Sequence, residues 1–91
     1  PGMRTIWKYP IIAPGRVSHE IPGDVEILTV QAQGGVPCVW ALVDPNAPKR
    51  RRYFWVYATG DSIPGGQLLY VGTFQLSDGR LVYHVFLEVE A

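Results

Sequence analysis

The chain is poor in the groups that most often carry chemistry. It has one cysteine, two histidines and no excess of charge of either sign, eight basic residues standing against eight acidic. A single cysteine cannot close an internal disulfide, which fits a reducing compartment. One thiol and two scattered imidazoles do not supply the three or four close ligands of a metal centre, so no metal and no cofactor is expected. A formal net charge of zero argues against coating nucleic acid or an anionic membrane through bulk charge. No apolar run approaches the ~20 residues of a membrane-spanning helix. Lys8, Tyr9 and Pro10 interrupt any signal-like pattern near the N-terminus. Repeats, low-complexity tracts and amphipathic helical periodicity are all lacking. These exclusions point to a soluble, intracellular protein. Its 91 residues make one domain, 3–91, with roughly 5–10 kcal/mol of net stability. Pro1-Gly2 ahead of Met3 reads as a cloning remnant, with Met3 the native start.

What is present is organised around Gly35-Val-Pro-Cys-Val-Trp-Ala-Leu-Val-Asp-Pro45. Every residue from Cys38 to Val43 is apolar, and prolines flank the run at Pro37 and Pro45. The run is too short for a typical core helix and right for a strand. Cys38, Trp40 and Leu42 face one way; Val39, Ala41 and Val43 face the other. Both faces need cover, so this strand belongs in the middle of the fold. Tyr53–Ala58 repeats the pattern, with Tyr53, Trp55 and Tyr57 on one side and Phe54, Val56 and Ala58 on the other. With no helix available, cover must come from a second sheet, from barrel closure or from another subunit. The expected fold is all-β, a small antiparallel sandwich or partly open barrel of about six to seven strands with little or no helix.

The remaining segments fit that frame. Thr5–Tyr9 reads as an edge strand stopped by Pro10. Arg16–Glu20 reads as a short exposed strand closed by Pro22-Gly23-Asp24. In Val25–Gln33, alternation places Leu28, Val30 and Ala32 on one face, with Ile27, Thr29, Gln31 and Gln33 on the other. Gly34-Gly35 then signals a two-residue hairpin. Asp44–Arg52 reads as a polar connection. Thr59–Gly66 is the longest loop, in which Asp61 or Ser62 could cap a brief turn. Gln67–Leu76 is a strand in which Gly72 marks a bulge or a close backbone approach. A hairpin at Ser77-Asp78-Gly79 leads to the last strand, from Leu81 onward.

No catalytic set emerges. Cys38, in an apolar strand, reads as a small buried hydrophobe. Asp44, Asp61 and Asp78 hold turn positions, and Ser62 lacks a Gly-x-Ser-x-Gly context. His84, between Val82 and Phe86 on its face, reads as a partly buried histidine bonding a carbonyl or tyrosine hydroxyl, or as a pocket or interface contact. The strongest local signal is Lys49-Arg50-Arg51-Arg52 running into Tyr53-Phe54-Trp55. Cations beside aromatics can hold phosphate and stack bases; they also serve as a solvated turn guarding a sticky strand. Three tryptophans and five tyrosines exceed what so small a core can hide, and these types dominate interface hot spots. The candidate binding residues are Arg50, Arg51 and Arg52 for anion contact, with Trp55, Tyr57 and His84 for a pocket or interface.

Several segments resemble a family of small, largely uncharacterised proteins encoded by bacteriophages and prophages. They are Thr5-Ile-Trp-Lys-Tyr-Pro10, Gly35 to Pro45 as written above, Thr59-Gly60 with Ile63-Pro64, Tyr70-Val-Gly-Thr-Phe-Gln75 and Leu81-Val-Tyr-His-Val-Phe86. In that family a histidine often follows the Thr-Gly pair; Asp61 stands there in this chain, and the tail beyond Phe86 is longer. The resemblance implies a phage origin, a small accessory role in the host bacterial cytoplasm and no enzyme activity. The leading expectation is therefore a non-catalytic binding protein that sequesters or inhibits a host factor, either a defence protein or a nucleotide-type immune signal. The alternatives are a structural or assembly homo-oligomer, virion-associated in one version, and a small enzyme. A homo-oligomer is expected in either of the first two cases.

Overall fold

The computed structural model describes residues 2–90. Pro1 and Ala91, at the outer ends of the expected remnant and domain, lie outside the described residues. The chain forms β1 (Thr5–Pro10), β2 (Gly15–Pro22), β3 (Val25–Gln33), β4 (Val36–Val43), β5 (Lys49–Ala58), β6 (Leu68–Leu76) and β7 (Leu81–Glu88). There is no helix among the described residues. Three strands pair in the order β1-β4-β3 and four in the order β2-β5-β7-β6, every pairing antiparallel. The fold is thus all-β, two open sheets packed as a sandwich, as the absence of helical periodicity predicts.

Two hairpins set the registers. Gly34 and Gly35 have φ of 57° and 81°, the double left-handed conformation that a two-residue type I′ turn requires, and Gln33 pairs with Val36 across it. Ser77, Asp78 and Gly79 take positive φ in the second hairpin, where Leu76 pairs with Leu81.

β4 is the middle strand of its sheet, and Val39, Ala41 and Val43 are fully buried beneath the second sheet. Its other face keeps Cys38 buried but leaves Trp40 and Leu42 only half-buried. The expected cover on both sides is therefore supplied by a second layer on one side alone. On the other, neighbouring strands lend side chains: Lys8 Nζ lies 5.7 Å from the centre of the Trp40 ring, and Ile6 stands opposite Leu42.

β5 starts at Lys49 rather than at Tyr53, so the expected polar connection ends earlier. β2 explains the difference. It runs on through Ile21 and Pro22, placing Glu20, Ile21 and Pro22 opposite Arg51, Arg50 and Lys49. Burial of Ile21 and Pro22 anchors that extension.

Bulges correct the simple alternation in two strands. The β3 register shifts between Ile27 and Thr29, which returns Ile27 to the core side with Val30 and leaves Leu28 43% exposed. The β6 register shifts between Tyr70 and Gly72. A Cβ on Gly72 would sit 2.8 Å from Val30 Cγ1, so this glycine marks both the bulge and the close approach of the sheets. Phe54, Val56, Val85 and Leu87 pack with Val30, Val39 and Val43, and no polar or charged residue is buried among the described residues.

Candidate binding face

The side chains that the core leaves out converge on the outer face of β2-β5-β7-β6. Pairing lines up Arg16, Trp55, Phe86 and Tyr70 as one rung across all four strands. Tyr57, His84 and Thr73 form the next rung. Trp55 and Tyr57 lie 6.0 Å apart with planes 3° from parallel. Phe86 presents edges to Tyr57 at 6.1 Å and to Tyr70 at 5.7 Å, the offset and edge-on arrangements that aromatic quadrupoles favour. Tyr70 is 62% exposed and its companions are half-buried. This is a continuous aromatic surface facing solvent.

Charges on this face are matched in place. The Arg16 guanidinium lies 3.7 Å from the centre of the Tyr53 ring and 5.2 Å from that of Trp55, a cation–π geometry. Its Nη2 also donates to both Glu88 oxygens at 3.2 Å. Trp55 Nε1–H donates to Glu88 Oε1 at 2.8 Å. The Glu88 carboxyl is held below its ordinary pKa, chiefly by the Trp55 hydrogen bond and, against some desolvation, by Arg16. Arg51 donates to the Ser18 hydroxyl at 2.9 Å and pairs with Glu20 at 2.8 Å.

His84 sits between two hydroxyls. Thr59 Oγ1 is 2.7 Å from Nε2, and Thr73 Oγ1 is 2.9 Å from Nδ1. Tyr70 OH continues the chain to Thr73 at 2.6 Å. A hydroxyl can donate or accept, so both ring nitrogens are satisfied in either tautomer. The expected tyrosine contact is thus indirect, relayed by Thr73. His19 bonds the Pro10 carbonyl and packs on Tyr9. Among the described residues neither histidine bonds a carboxylate or Cys38, and no His, Cys, Asp or Glu cluster could hold a metal ion. Asp61 closes its turn by accepting from the Ala58 N–H at 2.8 Å. The loop it starts brings Pro64, Gly65 and Gly66 beside Trp55, Tyr57 and Glu88, enclosing a cleft of about 260 Å³.

The sequence candidates therefore divide. Trp55, Tyr57 and His84 come together on the outer face, and Arg51 lies at its end. Arg50 and Arg52 point to the opposite side, because adjacent strand residues alternate. There both approach Glu90, Arg50 Nη1 at 3.3 Å and Arg52 Nε at 3.8 Å. Arg51 and Arg52 nonetheless line one cleft of about 290 Å³ with Tyr53, Glu88 and Glu90. Sequence reasoning missed Arg16, Tyr53, Tyr70, Phe86 and Glu88. Same-face spacing with Trp55 or His84 signals Tyr53, Phe86 and Glu88 within their own strands. Arg16 becomes a member only through the strand order, and Tyr70 through the bulged register of the β6–β7 hairpin.

A family model described as a domain of unknown function (DUF7352) matches residues 3–91. No curated protein and no solved structure matches the chain.

Proposed function

The chain belongs to the DUF7352 family, a domain of unknown function, and on that premise we propose that it is a non-catalytic protein that binds a partner protein through the outer face of β2-β5-β7-β6. The observation that carries this is the rung Arg16-Trp55-Phe86-Tyr70 with Tyr53 and Tyr57 beside it, open to solvent on a rigid sheet. Tyrosine, tryptophan and arginine are the residues that anchor protein interfaces. The arginines of this face are already paired with Glu88 and Glu20, which favours a protein over a phosphate-bearing nucleotide. In a phage setting the partner is a host factor, sequestered in the bacterial cytoplasm.

The test is capture from host extract by immobilised wild type, by the W55A/Y57A pair and by I6A on the other sheet, read by mass spectrometry. A protein held by wild type and I6A but lost from W55A/Y57A supports the reading. Capture indifferent to W55A/Y57A overturns it. A nucleotide that raises the melting temperature of wild type but not of W55A would transfer the face to a small-molecule ligand.

A second reading, a structural homo-oligomer, draws on the outer face of β1-β4-β3. There Ile6 is 55% exposed beside the half-buried Trp40 and Leu42. A fixed oligomer by light scattering that I6A dissociates would favour it.

A further inference from the structure

Between β3 and β6 the sandwich gapes. Val25 and Ile27 of β3, Leu69 and Val71 of β6 and Leu87 of β7 line a cleft of about 370 Å³ with Arg52 of β5 and Tyr70 at its walls. Its size falls at the low end of small-molecule sites, roughly 300–1,000 Å³. Leu69 is 57% exposed at the mouth. The guanidinium is the anomaly. The Arg52 side chain is only 11% exposed, and its Nε is buried with no hydrogen-bond partner. Glu90 stands 3.8 Å from that nitrogen, too far for a hydrogen bond, and is shared with Arg50 at 3.3 Å. Two guanidinium charges thus face one carboxylate, leaving a single positive charge beside an apolar cleft.

We propose that this cleft binds a small amphipathic monocarboxylate, its head side-on to Arg52 and its aliphatic body among Val25, Ile27, Leu69, Val71 and Leu87. The planar fork of a guanidinium matches the two oxygens of a carboxylate. A monoanion neutralises the surplus charge. A phosphate dianion would need further cations. Glu90 is the internal competitor for the same charge. The site shares only Tyr70 with the aromatic face and does not depend on what that face binds.

The probe is sodium octanoate, titrated into the full chain and followed by amide NMR shifts. Shifts centred on Val25, Ile27, Leu69, Val71 and Leu87, with acetate at least about tenfold weaker, support the proposal. Arg52→Gln should weaken octanoate by about tenfold or more, and Glu90→Gln should tighten it severalfold. Val71→Trp, which fills the cleft, should abolish binding and keeps the test decisive if Arg52→Gln does not fold. Absence of shifts at millimolar octanoate, shifts on the aromatic face instead, or 1-octanol binding as tightly as octanoate would each overturn it. Octanoate binding should persist in W55A/Y57A, so failure here and failure of the partner-binding face are told apart.

Discussion

β5 has two faces made from similar residues and put to different uses. Inward, Phe54 and Val56 are sealed, at 0% and 2% exposure, between the sheets. Outward, Tyr53, Trp55 and Tyr57 are half-covered, by one another, by Arg16 and by Phe86. Both faces are apolar, but only the inward one excludes water. The inward face should carry stability. The outward one spends aromatic area on a surface that the chain leaves open. Composition does not distinguish them; the second sheet does.

Truncation should make the contrast plain. Phe54→Ala removes a fully buried ring and should cost about 3–5 kcal/mol, a large share of the net stability of such a domain, seen as a collapse of the denaturation midpoint. Gly72→Ala comes next. Its new methyl meets Val30 Cγ1 at 2.8 Å, and a β-branched side chain on a packed strand yields little, so about 1–3 kcal/mol is expected. Adding Val30→Ala should recover part of that loss, and strict additivity of the two in chemical denaturation would refute the close-approach argument. Trp55→Ala, on the outward face, should cost only about 1 kcal/mol, the worth of an aromatic pair and a surface hydrogen bond, while removing partner capture. A loss as large as that of Phe54→Ala would erase the distinction between the faces.

The smallest effect concerns acid. Because the folded state lowers the pKa of Glu88, its stabilising contribution is present above the unfolded pKa and fades as pH falls through the folded one. The Trp55 indole N–H resonance should therefore titrate with a midpoint below the ordinary glutamate range. Arg16→Gln should move that midpoint up, and an unmoved midpoint would remove Arg16 from the pair.

Much of the frame is legible in the sequence. Gly34-Gly35, Asp78-Gly79 and Gly72 announce their conformations because glycine is needed where φ is positive or backbones crowd. The bulge at Leu28 carries no such mark, being flanked by ordinary strand formers, so alternation alone misassigned Ile27. The arginine run divides for a related reason. Its charge is visible at once, but its partners Glu20 and Glu90 are distant in sequence, and alternation sends neighbours to opposite faces. The aromatic half of the binding face could be read within β5 and β7. Arg16 could not, since β2 flanks β5 only after the chain has crossed between sheets; Tyr70 meets Phe86 across the β6–β7 hairpin, in a register set by the bulge between Tyr70 and Gly72.

Cys38, 2% exposed with its Sγ–H turned to the Val36 carbonyl at 3.5 Å, gives the chain a built-in clock. A thiol reagent can reach it only when the side chains lent by neighbouring strands, or β4 itself, move aside, so the labelling rate reports how often this part of the smaller sheet opens. Because the sulfur lies far along the sequence from β6 and β7, that rate can be compared with amide exchange in the other sheet. The comparison tells whether the two layers breathe together or separately.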